Sequence, residues 1–142
     1  TPQIAVRVLS DRVGDASSLK MCYAAMNKGM MALVVELLMV ARRLGVDAAL
    51  EAQFMKTHAA IYEQVVRGLP VMPPKAHRWV PEMLEIAQTF ESAGLTPRMF
   101  EGAAKLYEFI ATTKLGKETP ESCDKSRSGK DVVKLLADEG SA

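Results

Sequence analysis

Lys20 is the residue whose type and position most clearly suggest chemistry. It lies about one turn into a predicted helix whose following residues, 21–41, are apolar on nearly every side. Because burying a charged amine is costly, an apolar environment favours the neutral amine, which accepts protons near neutral pH. Free N–H groups at the start of the same helix favour an anionic ligand nearby. These features predict a proton-transfer site for an anionic substrate.

Helical spacing places two further polar residues near Lys20. At 100° per residue, Tyr23 lies about 60° and Asn27 about 20° from Lys20 around the helix axis. The three residues form a polar stripe on an apolar helix, and Lys28 lies next to it. A solvated lysine and a hydrogen-bonded core amide at Asn27 explain the same pattern, so the residues alone leave both interpretations open.

A second basic segment, residues 75–79, precedes the apolar part of another predicted helix. Arg78 or Lys75 in this segment is able to hold a substrate carboxylate by charge-assisted hydrogen bonds. The alternative is a solvated helix start with Trp79 in the core. His58 lies among small and apolar residues and is interpreted as structural, and no metal site is predicted around either histidine.

The pattern of apolar residues and helix-ending residues predicts an all-α domain around one long central helix. Helices are expected at about 16–44, 47–67, 75–92, 97–115 and 131–137, with a loop at 117–130. Asp15, Ser17 and Ser18 are possible N-caps of the long helix, and Gly45 and Gly116 end the first and fourth helices. The long helix approaches the length of a membrane span, but Lys28 and Glu36 favour enclosure by other helices.

Residues 4–9 give the one strand signal, and a lone strand must pair with a partner that the chain does not supply. The start at Thr1, without Met or a secretory segment, indicates a trimmed chain. The missing partner is either another copy of this chain or a sheet that has been removed. No glycine-rich nucleotide motif follows a strand, so the isolated chain is not expected to bind a dinucleotide tightly or to catalyse hydride transfer.

Composition narrows the classes of partner. The 142 residues are 49% hydrophobic with a net charge of +1, which fits one globular domain and gives no electrostatic reason to expect nucleic acid or membrane as a partner. Cys22 and Cys123 are isolated, so they predict neither a disulfide framework nor a zinc site. Unpaired cysteines are typical of a cytoplasmic protein, and this is the expected location.

The sequence resembles the C-terminal domain of β-hydroxyacid dehydrogenases, in the branch called 6-phosphogluconate-dehydrogenase-like. The resemblance begins with Gly14, five further residues and Lys20, then a long apolar helix containing Glu36 and ending in residues 43–46. It continues through ordered blocks over almost the whole chain, at residues 14–25, 75–79, 82–83, 85–87, 89–90 and 99–104.

This resemblance implies a function. The family joins a Rossmann domain that binds NAD or NADP to a helical domain of this kind, which packs with a second copy as a homodimer. The resemblance therefore implies that residues 1–12 are the last strand and linker of a missing nucleotide-binding domain, and that residues 13–142 are the helical domain. The family's catalytic lysine falls on Lys20, which would exchange a proton with the substrate hydroxyl during hydride transfer. Contacts with a small hydroxy-acid substrate are assigned to Tyr23, Asn27, Ser17, Arg78 and Lys75.

Several departures limit what the resemblance implies. The family commonly has Asn three and four residues after the lysine, where this chain has Tyr23 and Ala24. 6-Phosphogluconate dehydrogenase has a Glu where Asn27 stands, and an amide cannot donate a proton as a carboxylic acid does. Ala16 also replaces a frequent second glycine. The substrate, the choice of NAD or NADP, and decarboxylation therefore stay open.

Two classes of function follow. The first is the substrate-binding and dimerisation domain of an NAD(P)-dependent oxidoreductase, including relatives that act on imines or sugar acids. The second is a non-enzymatic helical dimerisation or interaction module with the same fold. The coding sequence upstream of Thr1 separates the two classes.

Overall fold

The computed structural model describes residues 7–140, and every regular element among them is helical. The six α-helices are α1 (Asp15–Arg43), α2 (Asp47–Thr57), α3 (Ala59–Gly68), α4 (Ala76–Ser92), α5 (Arg98–Thr112) and α6 (Gly129–Asp138). Two 3₁₀ turns, Leu69–Val71 and Pro73–Lys75, connect α3 to α4. The prediction of an all-α domain with one long helix is confirmed.

The predicted strand falls partly outside the described residues. Residues 4–6 are not described, and residues 7–9 form no regular secondary structure. A strand needs a neighbour for its backbone hydrogen bonds, and residues 7–140 contain no strand that could serve as one. The division of the chain between residues 12 and 13 stays a prediction.

Helix α1 begins with a backbone cap rather than a side-chain cap. Gly14 is the N-cap, with a positive φ of 97° that favours glycine. The prediction of a side-chain cap at position 15, 17 or 18 is wrong, because the Asp15 carboxylate instead accepts a hydrogen bond from Ser10 at 2.6 Å. Gly45 follows the other end with a φ of 71°, as predicted for a C′ glycine.

The predicted single helix over residues 47–67 is two helices separated by His58. At His58 the backbone leaves the helical region, with φ −140° and ψ 30°. The bend places the ring of Phe54 against two neighbours, edge-on to His58 at 6.2 Å and stacked on Tyr62 at 5.8 Å between centroids. Thr57 Oγ1 lies 2.7 Å from His58 Nδ1. His58 therefore takes part in local packing.

Helix α5 ends at Thr112, earlier than the predicted stop at Gly116. The buried Thr113 takes an extended conformation, and its hydroxyl donates to the Ile110 carbonyl and accepts from the Gly116 N–H. A Cβ at Gly116 would lie 2.1 Å from the Ile110 carbonyl oxygen. Glycine is required there for close backbone approach, and not as a helix cap.

The core lies where α4 and α5 pack against each other and against α1, with α6 on another side of α1. Fully buried side chains come from all of these helices and from the 3₁₀ turns. The largest are Tyr107, Leu69, Met72, Met83, Ile86, Ile110 and Leu136.

The prediction that α1 is enclosed on all sides is wrong for the described chain. Its buried residues begin only at Ala25, because α4, α5 and α6 cover one part of its surface. Leu19, Met26 and Leu33 remain 56%, 60% and 59% exposed. By length and composition α1 is also the one helix in residues 7–140 that is apolar enough to cross a membrane, a test that core helices of soluble proteins also pass.

Candidate functional site

Lys20 lies on the surface of α1, in the second turn of the helix. The expected apolar environment around its side chain is absent among the described residues, because no residue of α1 before Ala25 is buried. Helix packing begins further along α1. In this chain Lys20 is a solvated lysine that is accessible to a ligand.

The other predicted residues of α1 are accessible as well. Ser17 and Asn27 are exposed and Tyr23 is 70% exposed, and their side chains make no hydrogen bond within residues 7–140. Asn27 is therefore not a hydrogen-bonded core amide in this chain. Because α1 is continuous from Asp15 to Arg43, the polar stripe predicted from helical spacing is present on its surface.

Lys28 is the lysine of α1 that packing holds in place. Its side chain is 21% exposed and forms an ion pair with Glu82 of α4. Its Nζ lies 5.5 Å from the centroid of the Trp79 ring, within the range of a cation–π interaction. Trp79 and Glu82 are three residues apart on α4, so both face Lys28 from one side of that helix.

Tyr107 of α5 lies under this arrangement. Its ring is fully buried and meets Trp79 edge-on, with 5.2 Å between the ring centroids. Its hydroxyl donates a 2.6 Å hydrogen bond to the backbone carbonyl of Lys28. Burial raises the pKa of Tyr107 well above its usual range, so the phenol stays neutral and acts as a fixed donor. Tyr107 thus fixes the backbone that presents Lys28.

Positive charges from two helices converge on this position. Burial lowers the pKa of Lys28, and the nearby charges of Lys20 and Arg78 lower it further. We call Lys20, Lys28 and Arg78 the cationic cluster. Like charges are held together at an energetic cost, which an anionic ligand would relieve. The cluster is therefore suited to bind a carboxylate or another anion.

Only part of the predicted basic segment joins the cluster. Arg78 lies on α4 and is exposed, and its positive charge lowers the pKa of Lys28. Lys75 ends the second 3₁₀ turn, and its half-buried side chain makes no ion pair within residues 7–140. Trp79, which the alternative interpretation of this segment placed in the core, is half-buried between Lys28 and Tyr107.

Sequence reasoning missed Lys28 and Glu82 as members of the site. A local signal existed for Lys28, because Lys20, Ala24 and Lys28 follow one another at intervals of four along α1. No local signal connects Lys28 to Glu82, since their contact depends on the packing of α1 against α4. Within residues 7–140 no group of three or more metal-ligating side chains occurs, and both cysteines are free.

Comparison with known proteins agrees with a dehydrogenase-related helical domain. Residues 41–110 match the family model described as a domain of unknown function, DUF1932. That domain is known as a C-terminal domain of NAD(P)-binding 3-hydroxyisobutyrate dehydrogenase-like proteins. The matched segment includes Arg78, Glu82 and Tyr107, whereas Lys20 and Lys28 precede it. No curated protein and no solved structure matches the chain.

Proposed function

We propose that the chain is the substrate-binding and dimerisation domain of an NAD(P)-dependent oxidoreductase that acts on a small hydroxy acid. The observation that supports this most is that the exposed Lys20 shares α1 with Lys28, whose pKa is lowered by the charges of both Lys20 and Arg78, because a proton-transfer group and charges that bind a carboxylate then lie in one region of the surface. A hydroxy acid carries both a hydroxyl for proton transfer and a carboxylate for binding by these charges. The match of residues 41–110 to a dehydrogenase-associated domain favours the same class.

Each proposed residue has a role that its side-chain chemistry allows. Lys20 exchanges a proton with the substrate hydroxyl, as general acid or base. Ser17, Tyr23 and Asn27 on the same helix orient the substrate by hydrogen bonds. Arg78 binds the carboxylate. If the reaction includes decarboxylation, the phenol of Tyr23 is the group available for the later proton transfer.

Lys75 is proposed as a further substrate contact, because its side chain makes no ion pair within residues 7–140 and is able to turn toward a ligand. The described residues contain no glycine-rich strand–turn–helix, so they do not fit a dinucleotide. We assign NAD or NADP mainly to a separate domain.

Replacing Lys20 tests the catalytic role. In a protein that joins this chain to its nucleotide-binding domain, Lys20→Met should lower turnover about 10²- to 10⁴-fold, the usual loss for a positioned proton-transfer group. Thermal stability should not change, because the side chain is exposed. Lys117→Met, at another exposed lysine, is the matched control. Near-normal turnover by Lys20→Met would show that the catalytic assignment is wrong.

The dimer is proposed from the exposed face of α1. Seven residues follow one another at alternating intervals of three and four, the spacing of a helix that packs against another helix. We call them the α1 seam: Leu19, Cys22, Met26, Gly29, Leu33, Glu36 and Val40. Large apolar members of the seam are about half exposed or more, which is unusual for a surface left uncovered in solution.

Replacing a central residue of the seam tests the dimer. Sedimentation velocity at micromolar concentration should show a dimer for the unmodified chain and a monomer for Leu33→Lys, because the new charge would be buried in the interface. Leu95→Lys is the matched control, since Leu95 is 63% exposed and lies outside the seam. A monodisperse monomer for the unmodified chain would contradict the proposal.

The α1 seam also favours a second function, a non-enzymatic helical dimerisation or interaction module. The two functions differ in what precedes Thr1. An in-frame glycine-rich strand–turn–helix upstream supports the enzyme, whereas a coding sequence without one supports the module.

A further inference from the structure

Glu82 brings a carboxylate of the chain itself against the cationic cluster. We propose that Glu82 occupies the position on Lys28 that a substrate carboxylate takes, and that an incoming anion displaces it. Lys28 is then an anion-binding residue of the site and Glu82 is its internal competitor. This inference rests on the proposed function, because it concerns how the same site accepts its hydroxy acid.

The two partners of the ion pair differ in their freedom to leave. The Lys28 side chain is 21% exposed and lies against the Trp79 ring, whereas the Glu82 side chain is 41% exposed. Glu82 can turn toward water while staying solvated, and half-exposed ion pairs contribute little to stability. The ammonium of Lys28, in contrast, would lose its contact with the Trp79 ring if it turned toward water. The exchangeable partner is therefore the carboxylate.

The charges favour exchange over simple loss of the pair. The cationic cluster contributes three positive charges and Glu82 one negative charge, which leaves two positive charges uncompensated among these four residues. A partly buried ammonium without a counter-ion is costly, so Lys28 gains from always having a carboxylate nearby. A ligand carboxylate supplies that charge and is also attracted by Lys20 and Arg78, which make no ion pair within residues 7–140.

A purely structural ion pair predicts different behaviour. If the pair only joins α1 to α4, removing either partner loosens the packing, and both changes weaken any binding nearby. Displacement predicts opposite effects, because removing Glu82 frees Lys28 for the ligand whereas removing Lys28 removes the binding charge. The sign of the Glu82 effect decides between the two interpretations.

Trp79, the single tryptophan of the chain, reports directly on this position. The experiment titrates the 142-residue chain with sodium 3-hydroxypropanoate at constant ionic strength and follows Trp79 fluorescence, with sodium chloride as the reference titration. Glu82→Gln should lower the apparent Kd about two- to fivefold, the range expected from loss of a half-exposed ion pair. Lys28→Met should abolish the saturable change.

Glu85→Gln is the matched control, because Glu85 is an exposed carboxylate on the same helix without an ion pair within residues 7–140. It should leave the Kd unchanged. The proposal is overturned if the unmodified chain shows no saturable change, if Glu82→Gln binds equally or more weakly, or if Glu85→Gln tightens binding as much. Glu82→Gln keeps the shape of the side chain, so it decides the question even if Lys28→Met does not fold.

Failure of this inference and failure of the proposed function are distinguishable. Lys20→Met tests turnover, whereas the Trp79 titration tests anion binding without turnover. Tighter binding by Glu82→Gln together with normal turnover of Lys20→Met would retain displacement and reject the catalytic role. Lost turnover together with an unchanged Kd for Glu82→Gln would reject displacement alone.

Discussion

Replacing Tyr107 with Phe removes a single hydroxyl from beneath the cationic cluster and leaves its ring in place. That hydroxyl donates a 2.6 Å hydrogen bond to the Lys28 carbonyl from a fully buried ring. A buried hydrogen bond contributes about 0.5–1.5 kcal/mol to the free energy of unfolding. The carbonyl lies within α1 and keeps its helical partner, so no acceptor is left unpaired. We therefore expect Tyr107→Phe to cost about 1 kcal/mol near neutral pH.

The same variant should change how stability depends on pH. Burial raises the pKa of Tyr107 in the folded chain above its usual value of 10.0. Above that pH the unfolded chain releases this proton and the folded chain retains it, so the contribution of Tyr107 to stability is present below pH 10 and is lost as pH rises. The loss is about 1.4 kcal/mol per pH unit. Tyr107→Phe lacks this proton, so its deficit should shrink and then reverse at alkaline pH.

Urea denaturation followed by far-ultraviolet circular dichroism measures both effects, because it does not depend on the environment of Trp79. Tyr23→Phe is the matched control, since it removes the same atom from a side chain that is 70% exposed. The control should differ little from the unmodified chain near neutral pH. The reasoning is refuted if Tyr107→Phe is no less stable than this control, or if its deficit stays constant from neutral pH to about pH 11.

Two further predictions concern α6 and its surroundings. Gly129→Ala should lower the free energy of unfolding by about 1–3 kcal/mol, because the new Cβ would lie 2.3 Å from the Val66 carbonyl oxygen. The control is Gly102→Ala in α5, which should raise the free energy of unfolding by about 0.5–1 kcal/mol because its new Cβ would have nothing within 4 Å. Equal urea midpoints of the two variants would contradict this prediction. Ser128→Ala should cost about 1 kcal/mol by removing the capping box of α6. The Ser128 hydroxyl donates to the Asp131 carboxylate and helps to lower the pKa of Asp131, and it also accepts from the Asp131 N–H, a bond that does not depend on pH. The cost should therefore become smaller in urea melts as the pH falls through that lowered pKa; an equal cost at neutral and acid pH would contradict this.

Most helices could be predicted because their signals are local. Gly45 after α1 and the polar loop before α6 are read from neighbouring residues alone. The break at His58 could not be predicted, because residues 47–67 have a continuous helical pattern. The backbone leaves the helical region at His58, and neither a glycine nor a proline stands there to indicate it.

In the candidate site, too, the features that depend on local sequence could be predicted and those that depend on packing between helices could not. Helical spacing placed Lys20, Tyr23 and Asn27 on one stripe, and the continuous α1 preserves that arrangement. Burial along α1 could not be predicted, because it depends on which other helices cover each turn. Lys28 and Glu82 belong to different helices, and no period within either helix records their contact.

The geometry of α1 makes ligand binding and dimer formation compatible. At 100° per residue, Lys20 and Lys28 lie about 130–150° around the helix axis from the middle of the α1 seam. A helix packed on the seam therefore covers one side of α1 and leaves the cationic cluster on the other. Tyr107 fixes the rotation of α1 against α5 through its hydrogen bond to the Lys28 carbonyl. Because α1 is continuous, this contact with α5 sets the direction of Lys20, Tyr23 and Asn27 toward the proposed ligand and of the α1 seam toward the proposed partner at the same time.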